Sequence, residues 1–364
     1  MQKTSAWPLA LSYLGLIMYA SLYPFADWRD QGLAPWAFLV APWPHYWTGF
    51  DVGANIVGYI PAGFFLALSA SRTGRGRRAV VRATLVCGFL SMCMETVQIY
   101  LPSRVPSNAD LGLNVLGAWI GAMAASLLER LGALARWERV RARWFVPEAR
   151  GALVLLALWP VALLFPLAVP LGLGQVLERI EAGLAVVLAG TPFLRWLPVR
   201  DLQSQLVVPQ VEFFCVVLGL VIPCLLGYCI IRPAVRRAVF VLATVAIGIA
   251  MTSLSAALTY GPQNAWEWVH MPVLAGLVVG LALALSLVGV AHRVGAAMAL
   301  LAMGMYLSLL NQAPADPYFM LTLQTWEQGR FIRFHGLVQW LGWLWPYAAV
   351  VYLIGHSWRQ GREN

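Results

Sequence analysis

Long uninterrupted apolar stretches constrain this chain more than any other feature of its sequence. The runs 79–96 and 111–128 approach the roughly 20 residues that a helix needs to cross a bilayer. Of 364 residues, 60% are apolar and only 11% charged, whereas a soluble domain carries about 25% charged residues. We therefore predict an all-α fold, a polytopic transmembrane helical bundle, and exclude a soluble globular domain.

About ten spans fit the sequence. They are predicted at residues 6–24, 51–70, 79–101, 110–128, 152–172, 210–231, 238–259, 272–291, 295–311 and 336–354. Pro160, Pro166 and Pro170 predict a kink or a break in the fifth span, because proline removes a helical hydrogen bond. Residues 176–188 are predicted to form an amphipathic helix on the membrane surface.

The arginines orient these spans. They cluster after the second, fourth and sixth spans, which the positive-inside rule places in the cytoplasm together with both termini. The net charge of +9 is therefore interpreted as orientation and not as binding of nucleic acid. The loop 102–109 is then predicted to face outward. The basic segment 131–150 is predicted to link a four-helix membrane domain, 1–130, to a six-helix one, 151–364.

Polar residues in the first half share a helical spacing. The set is Asp51 and Asn55 on the second span, Ser91, Glu95 and Gln98 on the third, Arg104 and Ser107 in the following loop, and Asp110 and Asn114 on the fourth. Residues four apart lie on one helix face, so three antiparallel helices would present these side chains at one membrane depth. We predict an outward-facing polar pocket there.

A charged side chain inside the bilayer costs about 2.5–3.5 kcal/mol, so such residues usually form ion pairs, line a cavity or have a functional role. The candidate catalytic acid–base groups are Glu95, Asp110 and Asp51. The candidate ligand-binding residues of this half are Asn55, Gln98, Arg104, Ser107 and Asn114.

Structural interpretations compete for some of these residues. Ser107 and Asp110 have the spacing of a helix capping box, and Asp51 suits the dipole of a first helical turn. Arg104 would also reach lipid phosphates. Glu95 lies late in an apolar helix and has no capping role in this interpretation. A set of glycines, with Gly117 and Gly121 as a GxxxG motif, suits close helix packing: Gly53, Gly58, Gly63, Gly112, Gly117 and Gly121.

This joint spacing resembles a known family. The pattern runs Asp51-x3-Asn55-x5-Pro61-x-Gly63-Phe64, then Ser91-x3-Glu95-x2-Gln98, Arg104, and Ser107-x2-Asp110-x3-Asn114-x2-Gly117. It is similar to the VanZ-like membrane proteins over about residues 6–128. The family's name-giving member is associated with low-level teicoplanin resistance, so the resemblance implies a role in the cell envelope. The extension from residue 152 onward is absent from the short family core.

The second half adds three candidate ligand-binding residues near its last span, Arg330, Arg333 and His335. They would hold phosphate at the outer interface, or they belong to an aromatic and basic membrane belt. The five cysteines all lie in apolar runs, so no metal site is predicted, and no cofactor is predicted either. Nucleotide-binding, serine-hydrolase and zinc-protease motifs are absent from the sequence.

Three functions remain open from the sequence, which does not decide whether the protein is an enzyme. The leading hypothesis is a multi-pass protein of the bacterial inner membrane that recognises or modifies a lipid-linked or cell-wall-derived headgroup. Its partners would be the bilayer and an envelope precursor or phospholipid headgroup. The alternatives are a proton-coupled transporter or lipid flippase, and a structural or partner-binding membrane protein.

Overall fold

The chain folds entirely into helices and connecting segments in the part that the structure describes. This computed structural model describes residues 6–23, 25, 27–43, 49–71, 78–146, 149–196, 209–312 and 332–362. Those residues contain no β-strand, only an isolated bridge between Phe145 and Ile231. The predicted all-α membrane fold is confirmed.

The chain forms two compact units, residues 1–140 and 141–364, which are described separately. The division into three segments at residues 130 and 150 stays a prediction. The helices up to the boundary are α1 (Ala6–Leu22), α2 (Ala37–Val40), α3 (Gly49–Ala70), α4 (Ala79–Gln98) and α5 (Asn108–Arg130). Helix α6 (Ala133–Trp144) crosses the boundary. The later helices are α7 (Arg150–Ala162), α8 (Leu177–Val187), α9 (Pro209–Tyr228), α10 (Ala234–Tyr260), α11 (Met271–Ser286), α12 (His292–Gln312) and α13 (Ile332–Arg362).

Among the described helices, seven segments are long and apolar enough to cross a membrane. They are Asp51–Ala70, Ala79–Gln98, Asn108–Arg130, Pro209–Tyr228, Ala234–Tyr260, Met271–Gly289 and His292–Asn311. Shorter apolar helices cover Leu9–Leu22 and Arg150–Ala162. The chain is therefore a multi-pass membrane protein, while the count of ten spans and their orientation stay predictions.

Glycines bring α3 and α5 into direct backbone contact. A Cβ added to Gly121 would lie 1.9 Å from the carbonyl oxygen of Ile60, and one added to Gly117 would lie 2.2 Å from that of Ile56. On α3, a Cβ at Gly63 would meet the carbonyl oxygen of Ala118 at 2.0 Å. The GxxxG motif is thus a true packing motif, since only glycine permits this approach.

The other glycines with a predicted packing role do not perform it. A Cβ added to Gly53, Gly58 or Gly112 would have no neighbouring atom within 4 Å. These positions lie on the same two helices but outside the close backbone contact between α3 and α5. The prediction of close packing is therefore wrong for these three glycines.

Helix α9 is the centre of the second unit. Most of its residues are buried, including every residue from Gly219 to Tyr228. Helix α11 packs closely on it, since a Cβ at Gly276 would lie 3.0 Å from the carbonyl oxygen of Phe213. A helix that is apolar all round belongs in the core of a membrane bundle, and the sequence of α9 has this character.

The predicted fifth span is broken. Helix α7 ends at Ala162, ten residues before the predicted end at residue 172, and the chain continues as a buried irregular segment, 163–176. Pro166 and Pro170 prevent a regular helix there, since each lacks an N–H and disfavours the helical conformation of the residue before it. Leu171 adopts a left-handed conformation with φ of 61°.

Side chains from α12 satisfy the backbone of segment 163–176. The Tyr306 hydroxyl donates to the Leu171 carbonyl at 2.6 Å, and the Asn311 amide donates to the Gly174 carbonyl at 3.2 Å. The Asn311 carbonyl oxygen accepts from the N–H groups of Val176 and Leu177 at the start of α8. Irregular backbone at membrane depth requires such partners, because lipid offers none.

Candidate functional site

The candidate site lies where α3, α4 and α5 converge at the end of the first unit that carries loop 102–109. Asn55 on α3 donates from Nδ2 to Oδ1 of Asp110 in the first turn of α5, over 2.7 Å. These two residues are separated by 55 residues in sequence, yet the close contact of α3 with α5 brings them together. Asp51 lies one turn before Asn55, in the first turn of α3.

Glu95 is the most deeply buried carboxylate of the site, with a relative exposure of 4%. Its Oε2 accepts a hydrogen bond from the backbone N–H of Ser107 over 2.9 Å. The Ser107 hydroxyl in turn accepts from the N–H of Ala109 over 3.2 Å, so Ser107 is the N-cap of α5. Glu95 and Ser107 therefore join α4 to the start of α5, and Ser107 has the capping role that was considered for it.

A second contact crosses from α5 to α4 deeper in the bundle. Asn114 donates from Nδ2 to the Ser91 hydroxyl over 2.9 Å, and both residues are buried. The Asn114 Oδ1 atom is buried without a hydrogen-bond partner within the described part of the chain. An unpaired buried amide oxygen is costly, and this marks Asn114 as a residue whose polarity needs an explanation.

Gln98 and Arg104 reach the C-terminal end of α1. Gln98 donates to the Ser21 carbonyl over 2.8 Å, and Arg104 donates from Nη2 to the Tyr23 carbonyl over 2.8 Å and to that of Ala20 over 3.1 Å. The last carbonyls of a helix have no intrahelical partner, and a cation suits the negative end of its dipole. Both side chains therefore tie α1 to the site.

Three further candidates belong to the second half of the chain. Arg330 lies outside the described residues. Arg333 and His335 lie in the first turn of α13, which begins at Ile332, so the residues 332–335 predicted as loop are helical. The structure describes no side-chain position for either of them. Their predicted phosphate site stays a prediction.

Comparison with known proteins bears on the first unit. Residues 5–129 match the VanZ/LLP1 family model. The resemblance predicted from the polar spacing is confirmed for this N-terminal part, which we call the VanZ-like part. No curated protein and no solved structure matches the chain.

Tyr59 is a residue of the VanZ-like part that sequence reasoning missed. It lies four residues after Asn55 on α3, is 6% exposed, and its hydroxyl is hydrogen-bonded to the Ser91 side chain. Asp51, Asn55 and Tyr59 are spaced four residues apart and therefore lie on one face of α3. That extended spacing could have identified Tyr59.

The loop before α3 contributes a further contact to the VanZ-like part. Asn108 at the start of α5 donates to the Ala41 carbonyl over 2.8 Å, and Gln31 donates to the carbonyl of Ile99 over 2.6 Å. The segment 27–43 therefore packs on the residue after α4 and on the start of α5. No spacing rule signals such contacts, because they join residues that lie far apart in sequence.

The chemistry available here is that of carboxylates and amides. Within the described residues, no three His, Cys, Asp or Glu side chains lie close enough to hold a metal ion together. Glu95 and Asp110 offer acceptors or acid–base groups, whereas Asn55 and Asn114 offer donors. This donor and acceptor set suits hydroxyl-rich or phosphate-bearing polar groups.

Coupling between Asn55 and Asp110 should be measurable. We expect Asn55→Ala and Asp110→Ala each to lower stability, with a double variant that loses about 0.5–3 kcal/mol less than the sum, because the pair shares one hydrogen bond. Thermal unfolding of the purified protein in detergent measures this double-mutant cycle. The same cycle between Asn55 and the exposed Ser103 should show no coupling, and strict additivity for Asn55 and Asp110 would contradict the contact.

Proposed function

We propose that the VanZ-like part binds the polar headgroup of a lipid-linked or cell-wall-derived molecule at the outer leaflet. The observation that carries this proposal is the convergence of Glu95, Asn55 and Asp110 from three membrane helices at one end of the bundle. Polar groups in membrane helices are costly, and a purely structural bundle of this size can pack without them. The outward direction rests on the arginine distribution.

Each residue has a role in this proposal. Asn55 and Asn114 orient the headgroup through amide donors, and Glu95 and Asp110, with Asp51 beside them, are the candidate acid–base groups if the bound group is modified. Gln98 and Arg104 act as positioning residues, since their hydrogen bonds hold the end of α1 beside the cluster. The resemblance to the VanZ-like family supports a substrate in the cell envelope.

The rest of the VanZ-like core favours binding over transport. Away from the polar end, the buried side chains of α3, α4 and α5 are mainly small and apolar: Ala62, Ala67, Ala83, Cys87, Ala118, Ala122 and Ala125. A proton-coupled transporter needs polar groups along its path. These apolar side chains do not form such a path. We therefore propose a headgroup-binding site in the VanZ-like part and not a proton-transfer pathway.

The test compares ligand retention in conservative variants. Glu95→Gln keeps an acceptor for the Ser107 N–H while it removes the charge, and Asn55→Ala removes one donor. We expect both variants to retain at least tenfold less of the polar lipid that copurifies with wild type, a loss of about 1.4 kcal/mol in binding. Mass spectrometry of extracted lipids measures retention, and teicoplanin susceptibility of a producing bacterium reports function.

Controls separate binding from folding. Ser103→Ala changes an exposed residue of the same loop and should behave as wild type. Unfolding temperature is measured for every variant. The proposal fails if Glu95→Gln, at an unfolding temperature near that of wild type, retains the same lipids in the same amounts.

The hydrogen bonds of Gln98 and Arg104 to α1 favour one other candidate, a structural membrane protein in which the cluster only locks helices. In that case stability and any phenotype would fall together in Glu95→Gln. Under headgroup binding, retention falls while the unfolding temperature without lipid stays near that of wild type.

A further inference from the structure

Helix α6 (Ala133–Trp144) has an exposed apolar face. Trp137 is 54% exposed and Val140 is 44% exposed. Residues 137, 140 and 144 recur at intervals of three and four, so Trp137, Val140 and Trp144 share one face. A short helix in water with tryptophan and valine exposed on one face needs a partner for that face.

A second face of α6, next to the apolar one, is basic. Arg136, Arg139 and Arg143 are exposed and share a second face at the same spacing. The stretch 129–144 contains five arginines and two glutamates. The surface that would cover α6 is therefore apolar next to one face and negatively charged next to the other.

The place of α6 in the chain restricts what this surface can be. The candidate membrane span on α5 ends at Arg130, and α6 begins at Ala133. Gly132 between them has φ of +68°, a left-handed conformation that ends α5 and lets the chain turn. At about 3.5 Å per residue, this connection spans at most about 10 Å, so the start of α6 cannot leave the membrane surface.

A further arginine holds the C-terminal end of α6. The guanidinium of Arg236 lies 5.2 Å from the centre of the Trp144 ring and donates to the backbone carbonyl of Arg143. This contact fixes the last turn of α6 and adds a positive charge beside the arginine face.

We propose that α6 lies in the plane of the bilayer and binds anionic phospholipid headgroups. Trp137 and Val140 enter the boundary between headgroups and acyl chains, and Arg136, Arg139 and Arg143 pair with lipid phosphates. Amphipathic helices with arginine on the polar face and tryptophan on the other bind membranes in this manner. The positive-inside rule assigns this surface to the cytoplasmic leaflet. The inference does not depend on the headgroup site of the VanZ-like part.

The depth of α6 is tested with spin labels on the full-length protein in vesicles of equal parts phosphatidylcholine and phosphatidylglycerol. One label is placed by Val140→Cys and a control label by Ala135→Cys, on the opposite face, both in a Cys93→Ser background because the other cysteines are buried. We expect oxygen to reach the label at position 140 and an aqueous nickel chelate to reach the label at position 135.

Two outcomes would overturn the proposal. If the nickel chelate reaches both labels, α6 lies in water. If neither oxygen nor the chelate reaches position 140, protein covers the apolar face, which then serves a protein partner or a second copy of the chain.

The charge preference has a separate test. The triple variant Arg136→Gln, Arg139→Gln and Arg143→Gln keeps good helix formers and removes the charges. One arginine near an anionic surface contributes about fivefold in affinity, the equivalent of about 1 kcal/mol. We expect native mass spectrometry to show several-fold fewer phosphatidylglycerol molecules retained by the triple variant, and added salt to reduce retention by wild type. Arg195→Gln, at an exposed arginine of the second unit, is the matched control. Equal retention by wild type and the triple variant would refute a role of these arginines.

Discussion

Replacing Gly121 with leucine will separate α3 from α5 and unfold the VanZ-like part at a lower temperature. A Cβ at this position would lie 1.9 Å from the carbonyl oxygen of Ile60, so the clash is with backbone and no side chain can rotate away. Overpacking typically costs about 1–3 kcal/mol, and we expect the upper end or more. If the first unit, residues 1–140, unfolds by itself, about 3 kcal/mol corresponds to a fall of about 10 °C in its Tm.

The measurement uses a buried thiol of the same unit. Cys87 on α4 is fully buried, so a thiol-reactive fluorophore labels it only when the first unit opens. Heating the purified protein in detergent with the fluorophore, in a background where the other cysteines are replaced, gives the opening temperature. Gly117→Leu should behave like Gly121→Leu.

Gly112→Leu is the matched control on the same helix. Its Cβ would have no neighbour within 4 Å, and leucine has a helix propensity higher by about 1 kcal/mol. We expect this variant to match or exceed the stability of wild type. Equal destabilisation at positions 112 and 121 would show that glycine acts through backbone flexibility and not through the contact of α3 with α5.

Because α3 and α5 carry Asn55 and Asp110, the same substitution has a functional consequence. Separation of the helices by even one methyl group would lengthen the 2.7 Å hydrogen bond between these side chains. Gly121→Ala, a smaller change, should therefore lower headgroup retention in any preparation where it still folds. A Gly121→Ala variant with normal stability but lost retention would locate the function at this helix contact.

Removal of the Arg237 side chain will destabilise the second unit. The residue is 4% exposed, and its guanidinium donates to the carbonyls of Tyr228, Ile231, Val288 and Val290 over 2.6–2.9 Å. These carbonyls belong to the last residue of α9, to the chain after α9 and to the chain after α11. In Arg237→Leu they lose their donor in a place that water reaches poorly, which costs about 3–5 kcal/mol.

Labelling of Cys229 measures this effect. The thiol is buried close to the arginine in the chain after α9, so its reaction with the fluorophore on heating reports the opening of the second unit. Arg237→Lys keeps a charge but lacks the planar fork that serves several carbonyls, and we expect an intermediate loss. Arg232→Leu, at an exposed arginine nearby, should leave the free energy of opening within about 1 kcal/mol of wild type. A stable Arg237→Leu variant would show that these carbonyls have other partners.

The membrane character of this protein and the resemblance of its first third to the VanZ/LLP1 family can be read from the sequence. Apolar runs near 20 residues are sufficient for the first, because lipid burial depends on composition and length more than on neighbours. The spacing of Asn55, Glu95, Asp110 and Asn114 places each residue on a helix face, since helical periodicity is local. Ser107 was also predictable as a cap, because a cap is a contact between residues close in sequence.

Contacts between distant residues came only with the tertiary structure. Gly117 and Gly112 are alike in sequence, but only Gly117 meets a backbone carbonyl of α3. Arg104 donates to carbonyls at the C-terminal end of α1, and no spacing rule places that end of α1 beside the loop after α4. The prolines predict the break after Ala162. They do not predict that Tyr306 and Asn311 donate hydrogen bonds to the backbone carbonyls of the irregular segment that follows. In each case the deciding partner lies far away in the chain, and only packing of the helices brings it within hydrogen-bonding or van der Waals distance.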